Sequence, residues 1–152
     1  MASDVMVMIK IEYPPYAFKI RNDKGKEFIF DELRKLWLRL TPEEWVRQNV
    51  LQYLIQVKKY PSALIAVEKE IFLGELKKRF DVLVYDGQHK PWMMIECKGM
   101  DIQLDDKVLY QVLRYNLSVP VPFLVITNGK FMAGFERTPT GMETINELPL
   151  LP

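Results

Sequence analysis

The chain has 152 residues, 49% hydrophobic and 12% aromatic, with a formal net charge of +1, one cysteine and one histidine. That length and apolar content suit one compact domain, and the near-neutral charge leaves any nucleic-acid contact to local basic clusters rather than to an overall positive field. A lone cysteine and a lone histidine exclude an internal disulfide, thiolate zinc sites and imidazole-rich metal centres, so any metal must be held by oxygen. The amino terminus, with Asp4, Lys10 and Glu12, lacks a signal-peptide core. No apolar run approaches the roughly 18 residues of a membrane span, which points to a soluble, cytoplasmic setting.

Tyr13-Pro14-Pro15-Tyr16 cannot continue a regular element, so residues 1–17 read as an arm laid over the domain. Residues 18–21 and 27–30 alternate around Asn22-Asp23-Lys24-Gly25-Lys26 and predict a hairpin with a basic tip. Residues 31–40 fit either a helical stripe of Leu33, Leu36, Trp37 and Leu40 or an alternating strand over 36–40. Thr41 as N-cap, Pro42 in the first position, and Glu43 and Glu44 at the positive end of the dipole predict a helix over 42–58. Glu43 falls near the middle of its apolar stripe of Val46, Val50, Leu51, Leu54 and Val57, and is expected to point toward the sheet, with Glu44 on the stripe's edge.

Residues 63–73 read as a strand with Ile65, Val67, Lys69 and Ile71 on one face and Ala66, Glu68 and Glu70 on the other. After Gly74 and the basic run Lys77-Lys78-Arg79, two apolar runs, 80–85 and 92–99, flank a turn over 86–91 and predict a hairpin too hydrophobic to face water on either side. A second helix over 105–117 carries Gln111 and Tyr115 at i and i+4, and Ser118 to Pro122 stops it. Strands at 123–127 and 131–135 flank Asn128-Gly129, and the tail over 136–152 has room for one short edge element. This order predicts an α/β sandwich with a mixed sheet, the second helix serving as a right-handed crossover if its flanking strands are parallel.

Three charged residues interrupt the greasy hairpin. Asp81 opens its first strand, and Glu96 and Lys98 close its second, two residues apart and therefore on one face, with Cys97 sent to the other. Charges in an apolar setting are costly unless they pair or bind a cation. Asp81, Glu96 and the backbone oxygen of Cys97 are oxygen donors of the kind Mg²⁺ takes; Lys98 could then orient or deprotonate a water or neutralise phosphate charge, and Glu43 could assist from the helix. Plainer roles stand beside these. Asp81 could be an ion pair with Arg79 or Lys98, and Glu43 a dipole residue or a partner of Arg47; Glu68 and Glu70 could pair at the surface, and Gln111 and Tyr115 could bond to backbone. Cys97 reads as a small buried hydrophobe and His89 as a solvated turn residue.

Asp81 followed by Glu96-Cys97-Lys98 resembles the Asp…Glu-x-Lys signature of the PD-(D/E)xK nuclease superfamily, with Phe80 in place of its proline. Thr41 to Gln48, Val67-Glu68-Lys69, Arg79 to Tyr85, Ile95 to Lys98 and Thr127-Asn128-Gly129 more narrowly resemble the amino-terminal nuclease domain of the type I restriction enzyme R subunit, over about residues 30–135. The resemblance implies a restriction-endonuclease-like three-layer sandwich, a central mixed β-sheet flanked by helices, formed by a single domain over 1–152: an arm and hairpin to residue 30, a core over 31–135 and the tail. It further implies an Mg²⁺-dependent DNA phosphodiesterase, with Mn²⁺ able to substitute, in which Asp81 and Glu96 bind metal, Lys98 is catalytic, Glu43 assists, and Gln111 and Tyr115 steady the site or the DNA; Glu68, on its strand face, is a further auxiliary candidate. Lys77, Lys78 and Arg79, which lead into Asp81, are candidate phosphate contacts. The R subunit continues into a motor and these residues do not, so a separate motor or specificity subunit is an expected partner. A double cut would need two sites, which leaves a homodimer and repeated nicking both open. A non-cleaving module of the same fold that binds nucleic acid or protein, and an α/β protein whose buried charges are only an ion-pair network, are the competing readings.

Overall fold

The computed structural model describes residues 8–117 and 119–152, with Leu73 and Tyr115 described by backbone alone; expectations for residues 1–7, for Ser118 and for the Tyr115 side chain lie outside the described residues. Strands β1 (Ile9–Lys10), β2 (Ile20–Asp23), β3 (Lys26–Asp31) and β4 (Leu36–Arg39) precede helix α1 (Pro42–Gln56). A 3-10 turn at Ser62–Leu64 leads into β5 (Ile65–Leu73), β6 (Leu76–Tyr85) and β7 (Pro91–Cys97). Helix α2 (Asp106–Asn116), β8 (Phe123–Thr127), β9 (Phe131–Thr138) and β10 (Gly141–Ile145) complete the chain. No helix among the described residues is long and apolar enough to cross a membrane.

The main sheet runs β1-β9-β8-β7-β6-β5, with β10 also on β9. It is mixed because β7 and β8 are parallel, joined through α2, while the other pairs are antiparallel. On one face Val46, Val50, Leu51 and Leu54 of α1 pack with Val82, Val84, Met93, Ile95, Cys97 and Val125. On the other, Leu109 and Val112 of α2 pack with Leu83, Met94, Leu124 and Ile126. The result is the helix–sheet–helix sandwich of the restriction-endonuclease-like class. β1 at Phe131–Met132 and β10 at residues 134–138 share the outer edge of β9, so the amino-terminal segment and the tail both contribute strands that cover it.

A second sheet, β2-β3-β4, lies against the far side of α1, where Phe18 meets the Trp45 ring and Gln48 donates to Asp31. The strand alternative for residues 31–40 is thus the correct one. The buried Asp31 accepts the Leu33 and Arg34 amides, both at 2.9 Å, in a tight turn that passes through Lys35 at φ 57°, which returns the chain as β4.

Covering α1 from both sides corrects the expectation for its acids. Thr41 Oγ1 accepts the Glu44 amide at 3.0 Å, as a cap should, but Arg47, Gln48, Asn49 and Gln52 are buried along with Val46, Val50, Leu51 and Leu54, while Val57, expected on the stripe, is exposed past the end of α1. The buried face is therefore turned away from the stripe's centre, so Glu44 is buried and Glu43 is exposed.

A second correction falls on β5. Ile65 and Val67 join the α1 core, but Ile71 joins the α2 core. The faces exchange at Glu68, whose φ of 54° is a left-handed conformation rare for a non-glycine residue. β6 does the same opposite it, since Phe80 packs toward α2 and Val82 toward α1. Asp81 lies at this break.

Candidate active site

The break aims Asp81 across the sheet. Ladder pairing of β6 with β7 begins at Val82↔Ile95, and one step before it Asp81 Oδ2 accepts the Cys97 amide at 2.8 Å, so a carboxylate takes a place a backbone carbonyl would otherwise fill. Glu96 meets Asp81 there, the two carboxyls close enough to share a hydrogen bond. Cys97 is buried in the α1 core, while Glu96 and Lys98 line a cavity of about 350 Å³ on the α2 side with Ile102, Val108, Gln111, Val112 and Asn116. β7 continues to hold this end in place through Lys98, whose amide donates to Thr127 O at 2.7 Å. The next residue is tightly placed: a Cβ on Gly99 would lie 3.3 Å from Pro42 Cβ, at the start of α1.

Arg47 supplies the counter-charge. Its guanidinium bonds Glu44 through Nη2 and, at 3.1 Å, through Nε, bonds Glu68 through Nη1, and lies 3.5 Å from Asp81 Oδ1. Glu68 also accepts from Arg79 at 2.7 Å, and Gln48 joins Glu44 to Asp31 at 3.0 and 3.1 Å. A hydrogen-bonded chain thus runs from the small sheet through α1 to the sheet's central acids. Only 8% exposed, Arg47 keeps its proton firmly because Glu44 and Glu68 outweigh the burial that opposes it.

Five carboxyls, Glu43, Glu44, Glu68, Asp81 and Glu96, sit with three cations, Arg47, Arg79 and Lys98. Burial, and then the charge of Asp81, push the Glu96 carboxyl up to about 8, with Lys98 opposing. Asp81 is raised by burial against the Cys97 amide and Arg47, and Glu43 by burial and by Asp81. Burial and mutual repulsion favour one retained proton on this pair, and a hard divalent cation would bring positive charge in its place. Among the described residues no group of three or more His, Cys, Asp or Glu side chains is gathered as a metal site.

The raised Glu96 has a consequence in metal-free protein. The folded state keeps a proton that the unfolded state releases above its ordinary 4.5, so stability is highest at or below that pH and declines as pH rises toward about 8. Glu68 and Asp31 are lowered, and weaken the fold only when pH drops below the usual carboxylate range. Urea unfolding with chelator present is expected to show a loss of about 1–2 kcal/mol between pH 6 and pH 8. Glu96→Gln should flatten this slope; an equal slope in the variant would refute the assignment.

The remaining expected residues are distributed unevenly. Gln111 joins Glu96 and Lys98 at the cavity, whereas Glu43 reaches the site only through its field, which Asp81, Arg47 and Lys98 feel from the first turn of α1. Glu68 belongs to the Arg47 cluster, and Glu70 pairs with Lys77 at 3.3 Å outside it. Lys77 and Arg79 are exposed on β6 but Lys78 is 6% exposed, so the three do not form one phosphate-contacting row: alternate strand residues face opposite ways. His89 is exposed in the β6–β7 turn at φ 61°. Sequence reasoning missed Arg47 as a site residue, naming it only as a partner for Glu43. Its signal was the spacing Glu44…Arg47, i and i+3 on a helix with Glu43 and Glu44 in its first turn.

A mixed sheet between two helices, with an Asp and a Glu-x-Lys converging where neighbouring strands part, defines a protein of the restriction-endonuclease-like class. The sequence profile of the family described as type I restriction enzyme R protein N terminus (HSDR_N) matches residues 42–152, and the chain belongs to that family. The match takes in the tail and β10, and it starts after the small sheet. It makes this chain a restriction-enzyme-related nuclease module. No curated protein matches the chain significantly.

Proposed function

We propose that the chain is an Mg²⁺-dependent endonuclease that hydrolyses DNA phosphodiester bonds. The observation that carries this is the meeting of the Asp81 and Glu96 carboxyls beside a cavity that Lys98 also lines. Asp81 and Glu96, with the Cys97 backbone oxygen, are the residues that would hold the ion. Bound there, Mg²⁺ supplies Lewis acidity and lowers the pKa of water enough for attack on phosphorus near neutral pH.

The chain's own groups do the rest. Lys98 brings an ammonium to the cavity, where it neutralises charge gathering on the phosphate oxygens and orients the attacking water. Arg47 holds Asp81 and Glu68 in place, and the Cys97 amide fixes the Asp81 carboxylate. Gln111 offers an amide to the DNA at the cavity wall. Glu43 acts on the site through its field from the first turn of α1. Family membership supports DNA as the substrate and a motor or specificity subunit as a partner.

Calorimetric titration of the chelator-treated protein is expected to show Mn²⁺ binding that Asp81→Asn weakens at least about tenfold, since it removes one of two charged ligands. Supercoiled plasmid should be nicked with Mg²⁺ or Mn²⁺ and left intact in chelator. Nicking that persists in purified Asp81→Asn would overturn the mechanism.

A further inference from the structure

The small sheet β2-β3-β4 lies before residue 42, where the family match begins, so membership assigns it no role. Its inner face carries Ile29, which is fully buried, and Asp31, which bonds Gln48 of α1. The outer face is of a different kind. Register pairs Arg21 with Phe28 and Phe28 with Arg39, then Phe30 with Trp37 in the next row, and Lys19 and Lys26 belong to the same face by the two-residue period. Lys19, Arg21, Lys26 and Arg39 are exposed there, against Asp23 and, at the edge beside Lys19, Glu32, in a chain whose overall charge is +1.

The cations are held, not merely present. The Arg21 guanidinium lies 4.4 Å from the centre of the Trp37 ring and the Lys19 ammonium 5.2 Å from that of Phe30, while Phe30 and Trp37 meet edge to face at 5.3 Å. Lys19 also reaches Glu32 at 3.9 Å. Long basic side chains lose rotamer freedom on binding, and rings beneath them reduce that loss beforehand. Because the cations cap the aromatic rings, the face offers charge to a ligand rather than bare rings on which bases could stack. Its link to the acids is short in chemical terms: Asp31 bonds Gln48, Gln48 bonds Glu44, and Glu44 clasps the Arg47 that lies beside Asp81.

We propose that the outer face of β2-β3-β4 is a second DNA-binding surface that grips the phosphate backbone of duplex DNA through Lys19, Arg21, Lys26 and Arg39. The proposal shares with the previous section only the choice of DNA as ligand. It concerns binding and is tested without cleavage.

The test uses the full chain in chelator and a fluorescein-labelled duplex of about 30 base pairs, with affinity followed by anisotropy over a range of salt. Each phosphate contact contributes about 0.9 to the slope of log K against log salt. Lys19→Gln/Arg21→Gln/Arg39→Gln is expected to weaken binding about tenfold or more at low salt and to flatten the slope by one to three. Lys10→Gln/Lys59→Gln/Lys90→Gln changes net charge equally away from this face and should have a much smaller effect. Lys26→Gln/Arg39→Gln touches no capped ring and reads the same effect if the triple variant folds poorly. Unchanged affinity in the face variants, or an equal loss in the control triple, overturns the proposal. So does displacement of the duplex by polyglutamate at equal charge concentration, which would assign the face to an acidic protein. Loss of nicking with face-dependent binding intact would instead count against the catalytic reading alone.

Discussion

Lys98→Ala is expected to lower plasmid nicking about 10²- to 10⁴-fold while leaving Mn²⁺ affinity within a few-fold of wild type. The two quantities separate because Lys98 lies beside the carboxyls without being a ligand: its charge opposes the raised pKa of Glu96, and its side chain lines the cavity that would receive the phosphate. Removing an ammonium next to an ion site takes away repulsion toward the incoming cation, so affinity should hold or tighten slightly. Lys98→Arg distinguishes two ways of acting. A guanidinium keeps the charge but does not give up a proton near neutral pH, so partial activity in this variant identifies charge neutralisation, and activity as low as that of the alanine variant identifies proton transfer. Should Lys98→Ala lower stability and leave nicking untouched, the ammonium is a structural ion-pair partner and has no part in hydrolysis.

Arg47→Leu is expected to destabilise the protein by about 3–5 kcal/mol, a large share of the roughly 5–15 kcal/mol that holds a domain together. Arg47 is 8% exposed and Glu44 5%, so the substitution leaves Glu44 without its cation in a place water hardly reaches, and takes the same partner from Glu68 and Asp81. Glu44 keeps only Gln48 among the side-chain bonds it makes. Arg47→Lys should recover part of the loss, since an ammonium restores charge but not the two-pronged bond to Glu44. Urea unfolding at pH 7 reads both variants. A cost below about 1 kcal/mol for the leucine variant would show that water enters the cluster and screens it as it does surface pairs.

Much of this molecule was legible from local pattern. Thr41-Pro42 starts α1 where its chemistry says, Asn128-Gly129 turns β8 into β9, and the parallel β7–β8 pair is joined through α2. Asn128 shows why that turn is readable: its side chain accepts the Lys130 and Phe131 amides itself, and Gly129 at φ 89° faces Tyr13 and Val46 at distances that admit no Cβ. Glu96 and Lys98 lining one cavity, with Cys97 in the opposite core, follows from a period of two that nothing in β7 interrupts.

What local pattern left undecided depends on partners distant in sequence. Residues 31–40 carried helical and strand periodicities together, and β3 chose between them by offering Ile29, Phe30 and Asp31 as neighbours for β4. A helical wheel placed Glu43 inward because it assumes one buried face; α1 is covered on two sides, and the second cover, β2-β3-β4, turned Glu44 in instead. Alternation likewise assumed an unbroken strand, whereas β5 and β6 exchange faces together at Glu68 and Asp81. The sequence by itself therefore determined which elements bear Asp81, Glu96 and Lys98, the residues proposed for the chemistry. Only the tertiary structure decided how the acids are charged and held, because a buried guanidinium from α1 and a carboxyl pair spanning β6 and β7 are interactions between segments 15 to 34 residues apart, whose energies exist only once the segments have packed.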